Sequence, residues 1–259
     1  MSTLKIGAAH CVAPGVTMKT AILFLSFASL ACAQDPATAR MLNSALNVAQ
    51  RNNACYELRG VRSPEAIAAL AGALESPEVR ACAARTLREA GAVEELKSAL
   101  AAADPEMRAA AARELGAFGR PELIEPLAGA ARDPNLVVAS NALEGLGQYQ
   151  DPSVLPALLS LAESGGPVAA MALSRAVQFE DPRVLTVSRK LMAIRDVPLR
   201  LAALREIGDH GDPSDLPALR GLAAKAEPVA PAGRGFGLVP PLDLSRAARN
   251  AIRQIESRR

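Results

Sequence analysis

The sequence predicts an all-α protein: a right-handed α-solenoid of about six helix pairs with a C-terminal cap helix. One observation is a repeat, since the surroundings of Pro121 recur at intervals of 28 to 31 residues. The further anchor positions are Pro64, Val93, Pro152, Pro182 and Pro213. A second observation is composition, because alanine and leucine, which dominate the repeated segments, are strong helix formers. Self-similarity at a fixed period is typical of solenoids, in which each unit buries its apolar face against its neighbours.

Two columns of apolar residues run through the repeat. The column ten residues before each anchor is always alanine, and the column six before is leucine, isoleucine or, once, alanine. The first comprises Ala54, Ala83, Ala111, Ala142, Ala172 and Ala203, and the second comprises Leu58, Leu87, Leu115, Leu146, Ala176 and Ile207. A spacing of four residues places both columns on one helical face, which we expect to be the core.

Each unit therefore contains a longer helix before its anchor and a second helix after it. Asp-Pro pairs predict the helix starts, with the aspartate as N-cap and the proline in the first turn. Pairs at 104–105 and 133–134 would open longer helices, and pairs at 151–152, 181–182 and 212–213 would open second helices. The glycines expected to close the longer helices are Gly116, Gly119, Gly147, Gly208 and Gly211.

The two ends of the repeat array are less regular. Residues 36–47 are either a partial helix of the first unit or an extension of the next helix, with Asn47 as the one plausible break. The final helix, 244–257, fits the longer-helix pattern if Ala248 and Ile252 occupy the two apolar columns. Arg249 then replaces a leucine where no further unit follows, as a solenoid cap requires.

Three segments, PEVRACAARTL, PEMRAAAARELG and VPLRLAALREIGDHGDPSDLPALRGL, are similar to the HEAT-repeat family in its short, phycobilisome-lyase-like variety. The resemblance covers about residues 48–257. It implies a superhelix whose longer helices line the concave side. The family's early arginine is present at Arg51, Arg80, Arg108 and Arg200. Ala139 and Ala169 replace it in the middle of the chain, which would interrupt any ladder of charges.

Residues 18–33 have the three parts of a secretory signal peptide: Lys19, an apolar run from 21 to 30, and small residues before Gln34. We favour cleavage after Ala33 over lipidation of Cys32, because Ser29 stands where a lipobox prefers leucine. The start codon could correspond to Met1 or Met18. The expected domains are a removable extension at 1–33 and a repeat domain at 34–259, located in the periplasm or secreted. The apolar run is too short to span a membrane.

The composition argues against nucleic-acid binding and against a recognisable catalytic centre. Removal of 1–33 takes away two lysines and no acidic residue, leaving 27 basic and 27 acidic side chains, and only 3% of the chain is aromatic. One histidine would remain, His210, and we interpret it as a plug at the turn between helices rather than a metal ligand or base. The sequence predicts no cofactor, no metal site and no enzymatic activity. The oligomeric state stays open.

The positions eight and seven residues before each anchor are expected to be exposed. They carry a mixed-charge stripe that either binds a polypeptide or is an ordinary solvated face. The candidate partner-binding residues on this stripe are Arg85, Arg113, Glu144, Arg175 and Arg205. A proline- and glycine-rich loop at 226–243 adds Arg234 and Phe236, as a second binding site or as a disordered segment.

Cys55 and Cys82 are the two cysteines that would remain after export into an oxidising compartment. They lie on the longer helices of consecutive units, on opposite flanks, so that Cys55 faces forward and Cys82 backward. We therefore expect a disulfide between them, with two buried free thiols as the alternative.

Two functions are compatible with these features. The first is an exported HEAT-repeat scaffold that binds another protein in the bacterial cell envelope and has no catalysis of its own. The alternative is an enzyme or enzyme accessory, related to lyase or hydroxylase HEAT proteins, that acts on an envelope substrate. The first is favoured because no constellation of His, Cys and carboxylate residues is evident in the sequence.

Overall fold

The described part of this computed structural model, residues 36–224 and 243–258, forms fourteen α-helices and four single 3₁₀ turns. None of the helices in these two ranges is both long and apolar enough to cross a bilayer. The helices are α1 (Pro36–Leu42), α2 (Val48–Glu57), α3 (Pro64–Ala73), α4 (Pro77–Ala90), α5 (Val93–Ala99), α6 (Pro105–Gly116), α7 (Ile124–Ala130), α8 (Leu136–Leu146), α9 (Leu155–Ser164), α10 (Ala169–Ala176), α11 (Pro182–Leu191), α12 (Val197–His210), α13 (Leu216–Ala224) and α14 (Leu244–Ser257).

Helices α2 to α13 form six consecutive pairs, which confirms the predicted α-solenoid. The first helices of the pairs are called A helices (α2, α4, α6, α8, α10 and α12), and the second helices are called B helices (α3, α5, α7, α9, α11 and α13). Neighbouring pairs contact each other A helix to A helix and B helix to B helix, as in α6 with α8 and α7 with α9. The cap helix α14 packs on α12 and α13 of the last pair.

The two predicted apolar columns form the core. Every one of the six alanines and every one of the six residues in the second column is fully buried. One apolar cluster runs from Ala37 to Ala203, and a second links α12, α13 and α14. Because alanine leaves room for a close neighbour, the A helices stack while the leucines fill the remaining space between the two layers.

The helix starts follow the predicted capping with one correction. Asp104 and Asp181 are N-caps of α6 and α11, and Asp151 and Asp212 are N-caps of the 3₁₀ turns that lead directly into α9 and α13. All four side chains accept backbone N–H groups. Asp133 was wrongly expected to cap α8. The N-cap is Asn135, whose side chain accepts from the N–H groups of Val137 and Val138. Asp133 instead accepts hydrogen bonds from an arginine, described below.

The array begins with a separate short helix. This helix, α1, ends at Leu42, and α2 starts directly after Asn47. Asn47 and Gln50 form a reciprocal capping box, in which each side chain accepts the other's backbone N–H. This confirms Asn47 as the break. At the other end, Ala248 is buried as expected, but Ile252 is only partly buried, and Ala251 and Ile255 complete the buried face of α14 instead.

Gly116 and Gly145 allow α6 and α8 to approach unusually closely. A Cβ atom built on Gly116 would lie 2.3 Å from the Gly145 Cα, and a Cβ atom built on Gly145 would lie 2.8 Å from the Gly116 Cα. Gly116 was predicted only as a helix terminator. It is the last residue of α6, but its main role is to let two helix backbones touch. Gly119 does end the segment in the left-handed region, with φ of 61°.

We predict that Gly116→Ala destabilises the fold by ~1–3 kcal/mol, because the added methyl group has to push α6 and α8 apart. Gly72→Ala is the matched control: Gly72 is an exposed glycine within α3, and nothing lies within 4 Å of a Cβ placed there. That substitution should leave stability unchanged or raise it by ~0.4–1 kcal/mol. Denaturant unfolding of both variants measures the difference, and equal changes in the two would contradict a close helix crossing.

Candidate functional site

The A-helix surface is the row of side chains eight residues before each anchor, all of which are exposed. Its members are Tyr56, Arg85, Arg113, Glu144, Ser174 and Arg205. Arg175, one residue further along α10, is exposed as well. The five candidate partner-binding residues on the repeats therefore lie on one face of the A-helix layer. That they bind a partner stays a prediction.

The row seven residues before each anchor was predicted to be exposed as well, and this is wrong in three units. Thr86, Gly145 and Glu206 are buried, and the Glu114 side chain is only 13% exposed. Successive residues of an α-helix are rotated by about 100° about the helix axis. The side chains of this row therefore point toward the contact between neighbouring units rather than toward the open face. Gly145 touches Gly116 there, and Glu114 accepts a 2.7 Å hydrogen bond from Arg88.

Three clefts follow the A-helix surface toward the C-terminal end. The first, between α8 and α10, measures about 390 Å³ and is lined by Ser140, Leu143, Glu144, Met171, Ser174 and Arg175. The second, between α10 and α12, measures about 80 Å³ and also contains Ser174 and Arg205. The third, between α12 and α14, measures about 560 Å³ and shares Arg205 with the second. The shared lining residues make the three clefts one trough across four helices.

Apolar side chains are exposed on α8 and α10, the two helices that flank the first cleft. Leu136 and Val137 at the start of α8 and Met171 on α10 are each about half exposed, at 56%, 49% and 46%. Leu201 and Ala247 line the third cleft. A surface that combines exposed apolar groups with charges is suited to contact another molecule rather than only water.

The early arginines of the A helices form a structural ladder between consecutive units. Arg51 donates to the Met41 carbonyl and to the hydroxyl of Ser76, the N-cap of α4. Arg80 donates to the Leu74 carbonyl and pairs with Asp104, the N-cap of α6. Each guanidinium thus ties the preceding turn to the start of the next A helix.

Arg108 makes the most extensive of these contacts. Its Nε and Nη2 atoms donate to both Asp133 oxygens at 2.7 and 3.1 Å, and its Nη1 donates to the carbonyls of Ala102 and Ala103. The hydrogen bond from Arg108 holds the pKa of Asp133 below its ordinary value. Ala139 and Ala169 interrupt this ladder, as predicted, and both are buried.

Four arginines on the exposed face of the A-helix layer contrast with this ladder. Arg85, Arg113, Arg175 and Arg205 form no ion pair or hydrogen bond through their side chains with any described residue. Many other arginines in the described ranges pair with carboxylates, including Arg59 with Glu89 and Arg189 with Asp215. Arg62, Arg195 and Arg246, which lie outside this row, are exposed and unpaired among the described residues as well. The A-helix layer thus carries four of the arginines whose charge no carboxylate of the described residues neutralises.

His210 does not plug the helix turn as expected. Its side chain is 48% exposed, and its Nδ1 lies 3.0 Å from Oε1 of Glu206, one turn earlier on α12. The aromatic residues in the corresponding positions, such as Tyr149, are buried or partly buried. His210 is polar and has an acidic neighbour, so it stays at the surface. Among the described residues, no group of three or more His, Cys, Asp or Glu side chains could hold a metal ion.

The structure joins Cys55 on α2 and Cys82 on α4 in a disulfide, with Cα atoms 6.3 Å apart. Both side chains are buried, and Thr86 lies beside both sulfur atoms. The bond links the first two units across their A helices, in the arrangement expected from the opposite flanks of the two positions. Two predicted features lie outside the described residues: the expected leader at 1–33 and most of the loop at 226–243. Arg234 and Phe236 belong to that part of the loop.

Comparison with known proteins gives one family match and several solved structures of low identity. A family model described as HEAT repeats matches residues 93–176, and a search of the curated proteins finds no match. Among solved structures, human deoxyhypusine hydroxylase in complex with glycerol is 17% identical, with a TM-score of 0.37, over 92% of this chain and 99% of that chain. The complex of CpcE and CpcF of phycocyanin lyase from Nostoc sp. PCC7120 is 21% identical, with a TM-score of 0.39, over 99% of each chain. An engineered protein is 20% identical, with a TM-score of 0.25, over 86% of this chain and 98% of that chain.

Proposed function

We propose that this protein is an exported scaffold without catalysis of its own, which binds another polypeptide along the A-helix surface. The observation that carries the proposal is the trough: three clefts on one face of the A-helix layer, joined through Ser174 and Arg205. Extended surfaces built from stacked repeats are the part of a solenoid that contacts partners. A chain of clefts suits an elongated ligand, whereas a small substrate needs one enclosed pocket.

The exposed apolar side chains support a polypeptide ligand. Val137 and Met171 lie on α8 and α10, the helices that flank the first cleft. Their exposure costs free energy in water, and an apolar side chain of a partner would recover part of it at ~25 cal/mol per Å² of buried apolar area. Charged groups at the rim would then set register and orientation.

The disulfide and the leader support export. Disulfides persist in the periplasm or outside the cell and are rare in reducing compartments. The bond between Cys55 and Cys82 closes a loop of 27 residues, for which the chain-entropy model gives ~3–4 kcal/mol of stabilisation. Residues 18–33 supply the signal that would bring the chain to such a compartment.

We predict that the exported protein begins at Gln34 and contains linked Cys55 and Cys82. Peptide mapping by mass spectrometry, after alkylation in denaturant without reductant, measures both in one sample. The Cys55→Ser variant is the control, and in it Cys82 should be alkylated. Alkylation of both cysteines in the unreduced wild type would contradict the disulfide, and retention of residues 18–33 would contradict cleavage after Ala33.

We predict that benzoylphenylalanine in place of Ser174 or Arg113 crosslinks the same partner in the native envelope. Both positions lie on the A-helix surface and are exposed. The control is the same amino acid at Glu125, an exposed position on the B helix α7. Mass spectrometry should identify one partner at the first two positions and not at the third. Equal crosslinking at all three, or none at 113 and 174, would overturn binding along this face.

A further inference from the structure

Arginine side chains in this protein fall into two sets according to whether the fold uses their charge. In the ladder set, Arg51, Arg80 and Arg108 are largely buried, and each one meets an acidic or hydroxyl partner of the next unit. In the set on the A-helix layer, the guanidinium groups of Arg85, Arg113, Arg175 and Arg205 are exposed and meet no carboxylate of the described residues. The second set therefore adds little to the stability of the fold.

The rest of the chain offers little charge to neutralise these cations. Outside the described ranges it contains two acidic side chains, Asp35 and Glu227, against five basic ones: Lys5, Lys19, Lys225, Arg234 and Arg259. In the row of exposed side chains, Glu144 is the single carboxylate, and Glu206 and Asp209 line the second cleft beside Arg205. The row together with Arg175 therefore carries four positive charges against one negative charge, whereas the deeper linings of the clefts hold charges of both signs.

We propose that the polypeptide bound on the A-helix surface is an acidic segment in extended conformation, with carboxylates over Arg85, Arg113, Arg175 and Arg205. This inference rests on the proposed function and adds the chemistry of the partner. Guanidinium groups pair with carboxylates through two parallel hydrogen bonds, which gives direction as well as charge. The apolar side chains around Met171 contact the uncharged residues of the same segment.

The repeat spacing sets the pattern of the segment. Packed helices lie about 8–10 Å apart, and an extended chain of the polyproline-II type advances about 3.1 Å per residue and places every third side chain on the same face. One step from an A helix to the next therefore corresponds to about three residues of the ligand. Acidic side chains should recur at intervals of about three residues, opposite Arg85 and Arg113 and again opposite Arg175 and Arg205.

Glu144 distinguishes a polypeptide from a uniformly charged polymer. It is exposed in the middle of the row, between Arg113 and Arg175. A sulfated glycan or a nucleic acid carries negative charge at every repeat and would place part of it next to this carboxylate. A polypeptide places a neutral or basic residue there, so that only a ligand with varied side chains matches the whole row.

The test is selection of a phage-displayed library of random 12-residue peptides on the disulfide-linked protein. The expected peptides from wild type are acidic, with Asp or Glu about three residues apart. Arg113→Glu combined with Arg205→Glu should bind the enriched peptides about tenfold or more weakly, because two ion pairs become repulsive contacts. The matched control, Arg62→Glu with Arg195→Glu, lowers the net charge equally at two exposed arginines outside the A-helix row and should bind like wild type.

Thermal unfolding establishes that each variant is folded, and Arg85→Glu with Arg205→Glu replaces the first pair if Arg113→Glu impairs folding. The proposal of an acidic partner would be overturned if the enriched peptides showed no excess of Asp and Glu. It would also be overturned if both double variants weakened the binding of acidic peptides equally. In either case a polypeptide-binding site would still be supported. A third outcome is that the protein binds heparin or single-stranded DNA in preference to any peptide, and that only Arg113→Glu combined with Arg205→Glu loses this binding. That result would overturn the acidic peptide and indicate a uniformly charged polyanion as the ligand. If none of these probes binds and positions 113 and 174 also fail to crosslink, the proposed function fails as well.

Discussion

The close stacking of A helices is the constraint on which the rest of the structure depends. Each unit places an alanine on the buried face of its A helix, and all six are fully buried. Where α6 meets α8, even alanine would be too large, and two glycines bring the backbones together. This stacking fixes the distance between units and therefore the spacing of every exposed row. The row eight residues before each anchor forms a continuous surface because the buried side chains beneath it are small and recur in every unit.

Stacking also explains the different roles of the arginines. An arginine early in an A helix lies at the edge of the contact, where it reaches the turn before its own helix and the start of the next one, as Arg108 does with Ala102 and Asp133. An arginine in the last turn of the same helix, Arg113, lies on the open face and has no such partner among the described residues. The position of an arginine within the repeat thus determines whether its side chain is buried between units or exposed on the surface.

The sequence was sufficient to predict the architecture, because the apolar columns recur with the period of the units. It predicted the six pairs, the break at Asn47, the limits of the cap helix, and a disulfide that the structure also contains. It was insufficient where one side chain has two possible partners. Asp133 could cap α8 or pair with Arg108; it pairs with Arg108, and Asn135 is the N-cap of α8. The burial of Gly145 and Glu206 depends on how neighbouring units are rotated, and a single helix pattern does not contain that information. The clefts arise from the same packing between units, so their volumes had no sequence signal.

The central claim is that the fold needs the charge of the ladder arginines and does not need the charge of those on the A-helix surface. Arg108 and Arg113 lie on the same helix, and glutamine has a helix propensity similar to that of arginine. The most direct measurement is the thermal unfolding midpoint of Arg108→Gln and Arg113→Gln, each compared with wild type. We expect Arg108→Gln to lower the midpoint by several degrees, because it removes hydrogen bonds to Asp133 and to two carbonyls, and Arg113→Gln to leave it unchanged. Equal losses in the two variants, or a larger loss for Arg113→Gln, would contradict this account.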